Sequence, residues 1–444
     1  MQRKQSLLSR ISALLLVIVL LTTSLSGCFL KKNITNDIFT TKDWVSYRLS
    51  QDQSIPEFNV TAFNNVETCF KIYYFEPLAD DNTLFNKTKS AFEEFCAHVD
   101  KNDKDAVTHA LIDCYIYAVG DIYSFYRNPE ELADYEEDMG GTFVGIGVSV
   151  ITNTLENTIL VTGTEPDSPA QNAGIQADDY IVAVNGESIS EIGAKAAVDK
   201  IRGEVGAEVT ITVLRGEEEI SFTMARAIIT EKFVTYDFIE NTKIVLIRIK
   251  SFKGDDQNNT AIQFRQAIDF AESEGAEGIV FDLRSNPGGY LHLTTDMLSY
   301  LIPNNTQIVS FSSNKSSIYS ENDRTDKEPL DHVLTLPSVV VCNRSSASAA
   351  ELFTGAMRDY NKMGILNTVI VGEVTYKKGV MQNTISFNDG SALTLTTARY
   401  NPPLGENFHG IGVTPDVLVN ENEDFIAVAI DELNKIIAAQ IVPQ

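Results

Sequence analysis

The segment Ser338-Val339-Val340-Val341-Cys342-Asn343-Arg344-Ser345-Ser346-Ala347-Ser348-Ala349-Ala350-Glu351 passes from an apolar run into a stretch of small residues. Its first five residues read as a short buried strand and residues 347–357 as a helix, which puts Ser348 at the turn between them. Backbone N–H groups at a helix N-terminus have no intrahelical acceptor and are natural donors to an oxyanion, and that of Ala349 is the nearest. The same residues also suit a helix that is merely capped and packed, and the segment alone does not separate the two readings.

Two further segments do. Thr375-Tyr376-Lys377-Lys378-Gly379, with Gln382 beyond it, supplies lysine but no histidine. A serine hydroxyl is a poor nucleophile until a base takes its proton, and a lysine held neutral by burial can be that base. The pattern points to serine–lysine hydrolysis. The apolar run Gly278-Ile279-Val280-Phe281-Asp282-Leu283-Arg284 leads into Ser285-Asn286-Pro287-Gly288-Gly289. Alone this is a turn signal. Beside Ser348, its two glycines would let backbone N–H groups approach a ligand closely and complete an oxyanion hole.

From about residue 229 onward strands and helices alternate, which predicts a parallel sheet with its site at the strand C-terminal ends. Residues 140–228 are different, with short β-like runs and turn punctuation around Gly145-Ile146-Gly147, Ser168-Pro169-Ala170 and Ile201-Arg202-Gly203. Their order is that of a PDZ domain, in which a peptide adds as a strand and loop amides take its terminal carboxylate. The glycines at 145 and 147 flank Ile146 and leave such amides accessible. Residues 29–139 read as a short tether followed by amphipathic helices, with Val66, Cys69, Phe70 and Tyr73 at helical spacing.

Residues 1–28 read as an export leader: Arg3, Lys4 and Arg10 precede an apolar stretch, and Leu25-Ser26-Gly27-Cys28 resembles a bacterial lipobox. The expectation is a chain held at the outer face of a cell membrane by lipid on Cys28. The formal charge of −26 over 444 residues argues against a nucleic-acid partner. Cys69, Cys96, Cys114 and Cys342 show no zinc-site spacing, so no metal is expected, and no Gly-rich phosphate loop implies a cofactor. Disulfides are permitted in an exported chain, but the spacing does not say which form.

Taken in order, these motifs, with Tyr123-Ser124-Phe125-Tyr126, Gly372-Glu373, Thr397-Ala398-Arg399-Tyr400 and Pro415-Asp416, resemble the bacterial C-terminal processing peptidases, or tail-specific proteases. The resemblance implies an α+β multidomain chain with a helical N-terminal region, a PDZ domain and an α/β core of the ClpP/crotonase-like spiral type. It implies that Ser348 attacks the scissile carbonyl, that Lys378 is the general base and that Gln382 orients its amine. Ala349 with Gly288 or Gly289 would supply the oxyanion N–H groups. Gly145, Ile146 and Gly147 would bind a substrate tail, and Arg202 would either link the bound tail to the active arrangement or form a surface salt bridge. Substrates would be proteins or peptides with a free C-terminus.

One departure concerns the base. Where the family commonly has glycine, this chain has Lys377, so two lysines compete, and Lys378 is favoured because it directly precedes Gly379. Gln382, four residues on, would lie close to it in a tight turn or helix. Bringing the amine from about 10.4 toward 7 requires an apolar pocket and costs roughly 4 to 5 kcal/mol. The rival reading is a non-catalytic adaptor whose PDZ domain binds peptides, and a homodimer joined through residues 425–441 or the N-terminal helices is a further expectation.

Overall fold

The computed structural model describes residues 43–153, 157–312, 323–324 and 332–441. The leader, the tether and Cys28 lie outside them. The chain forms two compact units, the larger from the described parts of Met1–Tyr135, Val234–Lys253 and Thr260–Gln444, the smaller from Glu136–Phe233 with Gly254–Asn259.

The larger unit is built on a six-stranded sheet with Gly278–Asp282, Ser338–Cys342 and Thr368–Gly372 adjacent and parallel. The strand Gly278–Asp282 also pairs in parallel with Ile244–Ile249, and the edge strand Val234–Phe238 runs antiparallel to that one. Both central strands are buried along their whole length, as strands covered on two faces must be. Side chains alternate across a sheet, so Val280 joins the core under the helix Phe425–Ile441. Its neighbour Phe281 meets Phe264 and Phe353, ring centroids 5.6 and 5.8 Å away, from the helices Thr260–Ser273 and Ala349–Lys362. Truncating a ring as enclosed as Phe281 costs about 3–5 kcal/mol.

The helices Val60–Tyr73, Asp81–Phe95 and Lys104–Val119 share one core with Ile385, Leu393 and Leu395 of the paired strands Val380–Ser386 and Ala392–Asn401. The N-terminal helical stretch therefore shares a hydrophobic core with these strands.

The smaller unit carries a five-strand path in the order Val148–Asn153, Thr158–Thr164, Tyr180–Val184, Glu208–Arg215 and Glu218–Ala225, with Val148–Asn153 at its edge. Asp179 and Arg215 lock two of these strands through a pair at 2.7 Å, which holds the Asp179 carboxyl below the usual carboxylate range.

Candidate active site

Ser348 caps the helix Ala349–Lys362 at the C-terminal end of the strand Ser338–Cys342. Its backbone has φ 56° and ψ −116°, a conformation that costs a non-glycine residue of order 1–3 kcal/mol and persists only where the surroundings enforce it. Glu351 is the main enforcer. Its fully buried carboxylate accepts the N–H of Ser348 at 2.9 Å, of Lys377 at 2.6 Å and of Lys378 at 2.7 Å, and the hydroxyl of Thr375 at 2.6 Å. Burial pushes its carboxyl above the ordinary range, while these four donors oppose the shift. One side chain thus ties the serine turn to the lysine segment.

Gly288 sits against this turn, and Gly289 next to it lies against the backbone of Phe252. A Cβ on Gly288 would lie 2.8 Å from the Ser348 Cβ and 2.9 Å from the Ala347 carbonyl oxygen, so only glycine fits. The N–H groups divide unevenly. That of Gly288 donates to Asn286 Oδ1 at 2.8 Å, whereas those of Gly289 and Ala349 have no acceptor among the described residues. In this arrangement the Gly288 N–H is engaged and its missing Cβ gives clearance, while the N–H groups of Gly289 and Ala349 are the free pair. Asn286 sets this arrangement, since its Nδ2 donates to the Ile249 carbonyl at 2.8 Å and its own carbonyl accepts the Ala347 N–H at 2.9 Å.

The two lysines are now distinct. Lys378 is 1% exposed and its Nζ donates to Gln382 Oε1 at 2.9 Å, while Lys377 points to solvent. Burial drives the Lys378 amine well below the ordinary lysine range, against the opposing charges of Asp121 and Glu351. The ring of Tyr123 covers it, with Nζ 4.6 Å from the centroid. Gln382 reaches Lys378 not from a turn or helix but from the strand Val380–Ser386, where a register shift between Met381 and Gln382 re-aims the side chain. Thr396 Oγ1 accepts from Gln382 Nε2 at 3.2 Å and fixes the amide with its oxygen toward the lysine.

Lys377 has φ 86°, a left-handed conformation that glycine adopts without a Cβ penalty. The glycine common in the resembling family thus has a backbone reason. Lys377→Gly is expected to leave turnover unchanged and to stabilise the fold by up to about 1 kcal/mol, read as a higher Tm in calorimetry.

Tyr400 was not singled out as a site residue by the sequence, although it lies in a quoted motif. It is buried, and its hydroxyl donates to the Lys378 carbonyl at 2.9 Å and lies 3.4 Å from Ser348 Oγ. Among the described residues, Ser348 Oγ is hydrogen-bonded to Tyr400 and Lys378 Nζ to Gln382, so the serine and lysine side chains do not bond to each other in this arrangement.

In the smaller unit, Gly145 ends the strand Thr142–Gly145, and the carbonyls of Ile146 and Gly147 accept from Ala170 and Glu165 at 2.9 Å. The N–H groups of Ile146 and Gly147 have no acceptor among the described residues. Arg202 forms an ion pair with Glu137 at 2.8 Å within the same unit.

Residues 160–215 match the sequence profile of the PDZ domain, and residues 243–419 that of Peptidase family S41. The chain is 34% identical over 341 residues to a probable CtpA-like serine protease of Staphylococcus aureus (strain COL), an alignment covering 77% of this chain and 66% of that protein. It is 36% identical over 314 residues to a protein of the same description from Staphylococcus saprophyticus, covering 70% and 60%. The match thus spans just under two thirds of those relatives' length. Among solved structures, the photosystem II D1 C-terminal processing protease is similar at 22% identity and a TM-score of 0.49, covering 83% of this chain and 95% of that one. A PDZ domain and a peptidase domain in one polypeptide define the class. Residues 243–419 belong to peptidase family S41.

Proposed function

We propose that this chain is a serine endopeptidase in which Ser348 is the nucleophile and Lys378 the general base. The observation that carries the reading is the Lys378 amine: buried, lowered in pKa, and held by an amide oxygen that can only accept. When substrate arrives, Ser348 turns its hydroxyl from Tyr400 to Lys378, which takes the proton as Oγ attacks the scissile carbonyl. The N–H groups of Gly289 and Ala349 receive the developing oxyanion, and Lys378 returns the proton to the leaving amine.

A substrate tail adds as a strand to the free edge of Val148–Asn153, with its carboxylate on the N–H groups of Ile146 and Gly147. Cleavage falls near the C-termini of exported proteins, with the enzyme held at the membrane through Cys28. Metabolic palmitate labelling is expected to disappear in Cys28→Ala, and its persistence there would remove the anchor.

The deciding experiment compares the purified chain with Ser348→Ala on an unfolded protein substrate. Cleavage lost in the variant, with tail-peptide binding intact, is the expected result. Binding in both without Ser348-dependent cleavage would leave a peptide-binding adaptor instead.

A further inference from the structure

The helices Asp81–Phe95 and Lys104–Val119 form a hairpin, and each presents a thiol to the other. Cys96 is the residue that ends the first helix, and Cys114 lies in the third turn of the second. Their Sγ atoms are 3.6 Å apart, in contact and unbonded. Cys114 is 5% exposed, whereas Cys96 is partly open to solvent. The remaining described cysteines, Cys69 and Cys342, are fully buried, and the Cys342 thiol donates to the Glu373 carbonyl at 3.4 Å.

We propose that Cys96 and Cys114 are a disulfide-forming pair, with a low-molecular-weight disulfide as oxidant. The geometry provides the two requirements of thiol–disulfide exchange, an accessible attacking sulfur and a resolving sulfur already in contact with it. The Cys96 thiolate attacks the small disulfide, whose S–S bond breaks to release one thiol and leave a mixed disulfide on Cys96. The Cys114 thiolate then attacks the Cys96 sulfur, and the second small thiol leaves. The protein loses two electrons and two protons, and the small disulfide gains them. Contact with Cys96, then burial, raises the Cys114 thiol, and the same contact lowers that of Cys96, which agrees with Cys96 reacting first. Closing the bond needs a shift of about 1.5 Å between the sulfurs, given a bond of ~2.05 Å, and Cys96 is placed to make it because it lies beyond the last helical turn.

The link has a target. The second helix ends at Gly120 and delivers Asp121 and Tyr123, the latter over the Lys378 amine. Tying the hairpin together stiffens the segment that covers that amine without touching it. The inference does not depend on the peptidase reading, since it concerns thiols outside the site.

The test uses the full chain incubated with glutathione disulfide or with dithiothreitol, then denatured, alkylated with N-ethylmaleimide and mapped by mass spectrometry. The expected product is a Cys96–Cys114 crosslinked peptide two hydrogens lighter than the dithiol, with a melting temperature at least about 3 °C above the reduced protein. Cys96→Ser, a change at a partly exposed position, should abolish both crosslink and shift. Alkylation of both Cys96 and Cys114 in the oxidised sample would overturn the proposal. So would a persistent glutathione adduct on Cys96 with Cys114 free, or a crosslink to another cysteine.

Discussion

Replacement of Lys378 by methionine is expected to lower kcat by about 10²–10⁴-fold, the range a positioned general base contributes, with KM little changed. The methionine fits the apolar space and removes the buried amine, so loss of activity should come with no loss of fold. Wild-type activity should rise with pH along a single titration and level off well below pH 10.4, because burial lowers the amine. Stability follows the same group. The unfolded chain keeps an ordinary lysine while the folded one is lowered, so between the two values the unfolded state binds more protons. Folding stability therefore rises with pH through that window, and Lys378→Met should flatten the rise. Initial rates and thermal melts from pH 6 to 10 check both, and a variant with wild-type kcat would remove Lys378 from the mechanism.

The second large effect is expected at Glu351. In Glu351→Ala three buried donors, the N–H groups of Ser348 and Lys378 and the Thr375 hydroxyl, and the part-buried N–H of Lys377 lose their acceptor. Each orphaned donor costs about 1–3 kcal/mol, so the variant should melt far below wild type and lose at least about 10²-fold in kcat/KM. Glu351→Gln is the sharper probe. It keeps the shape but turns one acceptor into an NH₂ that faces other donors, so activity should fall more than stability. Equal activity in Glu351→Gln and wild type would show that the carboxylate does not position the serine turn.

The parts of the site that lie on continuous apolar runs were legible in the sequence. The strand Ser338–Cys342 and the helix after Ser348 announce themselves by composition, as does the strand leading to Gly288-Gly289. What the sequence left open depends on backbone angles and long-range contacts. The two lysines are chemically identical in a string of letters, and only burial of one and the left-handed φ of the other separate them. The Gly288 N–H looks as available as that of Gly289 until Asn286 is seen to hold it. Gln382 sits four residues from Lys378, which suggests a turn, yet a bulged strand makes the contact. Tyr123 carried no sign of its role, because a residue that far upstream meets Lys378 only once the helical stretch packs on the strands.

That last contact bears on when the chain becomes reactive. The lysine is dry only after Tyr123, supplied early in synthesis, and the strand Ala392–Asn401, supplied near the end, have both closed around it. Until then its amine sits in water and stays charged. On the proposed mechanism a nascent or partly folded copy therefore lacks its base, and completion of the fold itself acts as a safety catch.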